Sequence, residues 1–258
     1  MKLFADYHTH TKYSHGKGTV MENAERAKEL GLKEIGITDH GFAHSAFGLN
    51  KKKIPFLKTD CINATESTGV KVLVGVESNI IGNDGTVDLK PEFYDGFDLF
   101  LAGFHKFVLY KPGTMISTFI PNFLRSTFKS KSASRGLVKR NTKAYINVIK
   151  NNPVDIITHI NFCCYADVVE VAKCAADYGT YIELNSKKTH ISDEELYAIV
   201  KTGVNFVIDS DAHSPQRVGD TALVEQMLDR VYVPKDRIMN IDGKLPTFRF
   251  MTYKGIKR

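Results

Sequence analysis

Seven short runs rich in β-branched and aromatic residues recur along this chain, and each ends in a polar cluster. Leu3–Tyr7 leads into His8-Thr9-His10, Glu34–Thr38 into Asp39-His40, Val70–Val76 into Glu77-Ser78-Asn79, and Asp98–Phe104 into His105. Val154–Thr158 leads into His159, Thr180–Ile182 into Glu183-Leu184-Asn185, and Val204–Ile208 into Asp209-Ser210-Asp211-Ala212-His213. Helical patterns separate them. Val20–Leu30 stops at Gly31, Leu57–Ser67 at Gly69, and Asp167–Tyr178 at Gly179. Ser192, with Glu195 three residues on, makes a capping box for a helix that ends at Gly203, and Gln216–Val231 is another. Strand, helix and strand at this interval form βαβ units, with parallel strands and right-handed crossovers. An α/β barrel, closed or nearly so, puts all those strand ends on one rim, where barrel enzymes place their chemistry.

A length of 258 residues suits one such barrel. Apolar residues at 43% and charged residues at 25% exclude disordered, collagen-like and disulfide-scaffold classes. No apolar run approaches the roughly 18–20 residues that span a bilayer, and no signal-peptide core follows Met1, so no membrane partner is expected. Cys61, Cys163, Cys164 and Cys174 form no C-x-x-C and read as reduced thiols of a cytoplasmic protein.

Charge is unevenly placed. Lys106 to Lys150 holds ten bases and no acid, while the rest of the chain has 25 bases against 29 acids. Within this stretch, residues 107–141 are too long for an ordinary connection and read as an insertion on the active face. Pro112, Gly113, Pro121, the apolar cluster Met115–Phe123 and the Ser/Lys-rich run Thr127–Arg135 fall inside it. Asp236–Asn240 leads to a final strand or packing segment.

His8 and His10 are two apart on a strand, so both imidazoles leave one face. Alone, that pair is an ordinary capping or surface feature. Of nine histidines, however, seven sit at or just past strand ends: His8, His10, His15, His40, His105, His159 and His213. Glu77 and Asp211 occupy two more such positions. Imidazoles and carboxylates converging on one rim are a metal-binding pattern. His44 and His190 fall outside it and read as surface or loop histidines.

The chain resembles the PHP (polymerase and histidinol phosphatase) metal-dependent phosphoesterases. The resemblance rests on Asp6–Thr11, Tyr13–Gly16, Ile37–Gly41, Gly75–Glu77, Ala102–His105, Ile157–His159 and Ser210–His213, in family order. It implies a distorted seven-stranded TIM-like barrel with a trinuclear metal centre at the C-terminal rim. It also implies the ligands: His8, His10, Glu77 and Asp211 for one ion; Glu77, His105 and His159 for a second; His15, His40 and His213 for a third. Zinc is the first choice, with manganese or iron compatible. A hydroxide held on the metals by Glu77, Asp211, His8 and His10 would attack the phosphate ester, with no serine or cysteine nucleophile.

Several positions carry two readings. Asp39 either orients a ligand histidine or caps the following turn; Asp209 is placed outside the ligand set. Arg217 offers a planar fork to phosphate, or is a surface arginine at a helix start. Lys17, near His15, is a second phosphate candidate. Asn185 either donates to substrate or pins a loop. The basic insertion is a solvated loop, a collar that focuses anionic substrate, or a nucleic-acid surface with Phe119, Phe123 and Phe128 as stacking platforms. The expected function is hydrolysis of a small phosphate monoester, histidinol-phosphatase-like. A phosphodiesterase or nuclease, and a metal-binding accessory module without turnover, are the alternatives. Oligomeric state is not legible.

Overall fold

A computed structural model describes residues 1–127 and 133–256. Seven parallel strands follow one another in chain order around a nearly closed barrel. They are β1 (Ala5–Thr9), β2 (Glu34–Ile37), β3 (Lys71–Asn79), β4 (Leu99–Gly103), β5 (Ile156–Ile157), β6 (Tyr181–Asn185) and β7 (Phe206–Asp209). Helices α1 (Val20–Glu29) and α2 (Ile54–Thr68) follow β1 and β2. After β4 come α3 (Pro112–Thr114), a π-type turn (Met115–Phe119), α4 (Ile120–Thr127) and α5 (Arg135–Asn151). Beyond β5 lie α6 (Val168–Tyr178), α7 (Asp193–Val200), α8 (Ala222–Arg230) and α9 (Arg249–Tyr253). Among the described residues no helix is long and apolar enough to cross a membrane.

Alternation along each strand divides the core in two. On β4, Leu99 and Leu101 point into the barrel, while Phe100 and Ala102 pack outward against helices. Ala5, Tyr7, Leu73, Ile156, Tyr181 and Val207 complete the inner layers, as side chains fill the interior of such barrels. Phe248 and Met251 plug the lower end, the Phe248 ring meeting Tyr7 edge-on at 4.9 Å. Asp155 ties that plug down, accepting the Phe100 N–H at 2.9 Å and the Phe250 N–H at 2.8 Å.

A bulge in β1 decides what the rim presents. Ala5 and Asp6 pair with Glu34 and Ile35, but Thr9 pairs with Ile37, so one extra residue lies between. Parity flips there. Tyr7 fills the core, and His8 and His10 both turn to the barrel axis above it.

The β1–β7 seam is sewn by side chains. Backbone pairing joins the strands only at the top, where the His10 N–H reaches Ala212 O at 2.8 Å. Lower down, buried Asn240 donates to Ala5 O at 2.8 Å and Ile208 O at 2.7 Å, and accepts the Ile208 N–H at 2.9 Å. Asp209 accepts the Tyr7 N–H at 2.7 Å, and Asp6 accepts the N–H groups of Ser210 and Gly219. Asp236–Asn240 is therefore the packing segment anticipated: Ile238 bridges Phe206, and Asn240 stands in for the missing ladder.

The long β4–β5 connection differs from expectation at its end. Residues 135–141 belong to α5, which is the regular crossover helix. Ser134 caps it by accepting the Leu137 N–H, and Leu137, Asn141, Ala144, Tyr145, Val148 and Ile149 are buried. Phe128, Lys129 and Lys131 lie outside the described residues.

Candidate metal centre

Glu77 ends the inward row of β3, above Leu73 and Gly75, and is fully buried. Its Oε1 lies 2.7 Å from His159 Nε2, 2.9 Å from His105 Nε2 and 3.3 Å from His8 Nε2. Its Oε2 lies 2.9 Å from His40 Nδ1 and 3.7 Å from His10 Nε2. Asp211 Oδ1 lies 3.3 Å from His213 Nδ1, 3.5 Å from His10 Nε2 and 3.8 Å from His8 Nε2. Gly103, inward on β4, leaves the room this needs: a Cβ there would meet Thr158 Oγ1 and His159 Cε1.

Whether these residues fit metal ions can be judged from their unmet polar atoms. His10 Nδ1, His15 Nδ1, His40 Nδ1, both ring nitrogens of His105, His159 Nδ1 and Glu77 Oε2 are buried without a hydrogen bond. Such groups cost about 1–3 kcal/mol each when left unsatisfied. His40 Nδ1 and His105 Nε2 reach Glu77 at 2.9 Å yet lack hydrogen-bond alignment. This is the donor set that a borderline divalent cation takes. Ligand atoms within 4.8 Å of one another form four overlapping groups: His8, His10 and Glu77; His40, Glu77 and His105; His8, His159 and Asp211; His10, His40 and His213. These groups cut across the three sets implied by resemblance. His15 joins none of them; its ring stacks on His40 at 4.8 Å and meets His213 at 4.3 Å.

Electrostatics keeps the set ready to bind. Burial pushes His105 and His15 down to about 3 and His213 to about 4, so their lone pairs are free at neutral pH. Burial opposes the charge of Glu77, but His105, His8 and His159 outweigh it and hold the carboxyl well below its usual range. Asp211 is likewise held down against burial by His8, His10 and Lys187. His8 goes the other way: Glu77, Glu183 and Asp211 overcome its burial and raise it. His159 and Asp211 sit at φ of 25° and 48°. Left-handed backbone costs such residues about 1–3 kcal/mol and gathers at functional sites.

Glu183 was not assigned a role in the sequence, although it closes a strand as Glu77 does. It accepts from the His159 N–H at 2.6 Å and lies 2.6 Å from His8 Nδ1, fixing two candidate ligands at once. Asp39 pins a turn, but the one after β1: it accepts from Thr11 N at 2.8 Å, Thr11 Oγ1 at 2.6 Å and Ser14 Oγ, and so sets His15. Asp209 stays at the seam, its carboxyl raised by burial and by Asp6 and Glu183.

The cavity above the histidines is not lined by Arg217, Lys17 or Asn185. Arg217 pairs with Asp220 at 2.9 Å and does not line the cavity above the histidines. Lys17 is exposed outside it, with its N–H on His213 O. The Asn185 amide is spent on Glu183, Asp211 and the N–H groups of Lys187 and Lys188, so it pins the loop. The cavity, about 370 Å³, is lined instead by Lys106, Lys187 and Lys188 and by Phe47, Phe107 and Phe162. Lys187 Nζ reaches Asp211 Oδ1 at 3.2 Å and His213 Nδ1 at 3.1 Å. His44 and His190 lie in loops, as one of the two readings had it, but line this cavity, and burial lowers each to about 4. Of the ten bases in the basic stretch, Lys106 alone among the described residues lines it. Phe119 stacks between Tyr110 and Phe123, as a packing residue does.

Fold and site together define a parallel α/β barrel with a cluster of imidazoles and carboxylates at its C-terminal rim that could hold metal ions. Residues 6–187 match the model of the PHP domain. The chain belongs to that family. It is 32% identical to a protein of Thermoanaerobacter sp. named a probable phosphatase, over 96% of this chain and 95% of that one. A probable phosphatase of Acetivibrio thermocellus is also 32% identical, over 93% of this chain and 92% of its own. The crystal structure of histidinol phosphate phosphatase from Lactococcus lactis, complexed with zinc, L-histidinol and phosphate, superposes with a TM-score of 0.62. It covers 97% of this chain and 98% of its own at 16% identity, a likeness of fold.

Proposed function

We propose that this chain, one barrel unit over residues 1–258, is a cytoplasmic metal-dependent phosphatase that hydrolyses the monoester of a small phosphorylated metabolite. The observation that carries this reading is the Glu77 carboxylate with five imidazole nitrogens within 3.7 Å. Three of those rings, His40, His105 and His159, line a cavity edged by three lysines. Names of the relatives as phosphatases support it, as do the zinc, L-histidinol and phosphate bound by the Lactococcus protein.

The ligands proposed are His8, His10, Glu77 and Asp211 for one divalent ion, Glu77, His105 and His159 for a second, and His15, His40 and His213 for a third. Zinc is the first choice, with manganese or iron compatible. When bound, such ions supply a water of lowered pKa and neutralise charge on the phosphoryl oxygens. The chain's own residues do the rest. Glu77 and Asp211, ionised and buried, fix the ligand rings. Glu183 orients His8 and His159. Lys187, Lys188 and Lys106 present ammonium donors to the phosphate. Phe47, Phe107 and Phe162 give apolar faces to the leaving group, and His44 and His190 offer neutral rings for hydrogen bonding.

The test is turnover of an aryl phosphate monoester, a bis-aryl diester and a panel of phosphorylated metabolites, histidinol phosphate among them, by metal-loaded protein. The monoester should be cleaved at least about tenfold faster than the diester. Diester preference would favour the phosphodiesterase, and no turnover at all would leave a metal-binding module.

A further inference from the structure

The helical segment after β4 is inside out. Its polar residues Thr114, Thr118 and Asn122 face the protein, Thr118 and Asn122 being 1% and 2% exposed. Thr118 Oγ1 donates to Asn83 Oδ1 at 2.8 Å, Thr114 Oγ1 accepts the Asn83 N–H at 3.0 Å, and Asn122 exchanges two hydrogen bonds with Asn141 at 3.1 Å. Met115 and Phe119 pack against the core, and the other apolar residues face out. Ile116, Ile120, Phe123 and Leu124 recur at helical spacing along the outer side, with Ile116 70% exposed. Phe107 and Leu109, 65% and 68% exposed, lie in the loop that leads into this segment, and Phe107 lines the cavity. The loop bearing them is fixed: Phe107 O accepts from Ser45 N at 2.9 Å and Ser45 Oγ at 2.7 Å, and Leu109 N–H reaches Ala43 O at 2.9 Å. An apolar patch held outward by satisfied polar bonds beneath it marks an interaction surface.

Charge indicates what it meets. No acid occurs between Asp98 and Asp155. Arg140, on α5, bonds Ser117 O beside the stripe, and Arg135, Lys139 and Lys143 are exposed on the same helix. A second copy would bring like charge against like. An anionic bilayer satisfies both features, taking Ile, Leu and Phe side chains at the acyl boundary and the bases at the headgroups. We propose that this face docks the protein, without spanning, on an anionic lipid surface, with the cavity mouth at the edge of the contact.

Flotation of the full chain with vesicles of phosphatidylcholine, or of phosphatidylcholine with about 30% phosphatidylglycerol, tests this. Binding should be about tenfold greater to the anionic vesicles at low salt and should fall as salt rises. Ile116→Ser, Ile120→Ser and Leu124→Ser combined should lower it about tenfold while leaving soluble aryl phosphate turnover unchanged. Arg135→Glu, Lys139→Glu and Lys143→Glu combined, all at exposed positions of α5, should weaken binding to anionic vesicles alone. No binding to either vesicle, or equal binding to both, would overturn the proposal. So would a dimer in light scattering that the triple serine variant separates into monomers.

Discussion

Glu77 touches five histidines, and Asp211 touches three. Glu77→Ala should therefore lower kcat/KM for an aryl phosphate by more than about 100-fold, beyond any single histidine-to-alanine change, since it strips a shared ligand from a set that outer partners alone tune by about 10–100-fold. Near-normal activity in Glu77→Ala beside a loss in His159→Ala would reassign the shared position. Glu183→Gln keeps the volume but weakens the hold on His8 Nδ1 and the His159 N–H. It should cost about 10–100-fold in metal affinity, read by metal titration with a competing chelator. Ligand candidates were legible because histidine at strand ends is scarce chemistry, and eight of the nine positions fall into mutual ligand groups. Glu183 was not legible, since its role depends on which rings the folded barrel sets against it. Arg217 had an ion-pair partner in view in the sequence, Asp220 three residues on, which it meets at 2.9 Å.

At the scale of elements, the weakest join is the β1–β7 seam. Asn240→Ala removes three buried hydrogen bonds and leaves Ala5 O and Ile208 N–H without partners. It should destabilise the fold by about 3 kcal/mol, read by urea denaturation. The base plug carries a pH signature. Burial raises the Asp155 carboxyl from 3.8 to about 7. The folded chain then holds a proton that the unfolded chain releases between about pH 4 and 7, so this contribution is present at low pH and lost as pH rises through 7. The thermal midpoint of wild type minus that of Asp155→Asn should shrink across that window; a constant difference would contradict it. Strand order and parallel pairing follow from the alternation in sequence. The β1 bulge does not, because a one-residue slip leaves composition unchanged. Helix α5 is masked in the sequence by its charge, although Leu137, Asn141, Ala144, Tyr145 and Val148 repeat at helical spacing beneath the basic run.

For the whole molecule, most of the described basic stretch lies away from the cavity over the candidate metal centre. Arg135, Lys139 and Lys143 are exposed on a crossover helix, while Lys106, Lys187 and Lys188 edge the cavity. The barrel brings seven strand ends to one rim, and six buried ring nitrogens there, on His10, His15, His40, His105 and His159, have no hydrogen-bond partner among the described residues. Elemental analysis of protein purified without chelator tests this most directly. Two to three equivalents of transition metal per chain, lost together with phosphatase activity on chelation and restored together on reloading, is the predicted result. Less than one equivalent, with no activation when metal is added, would contradict it.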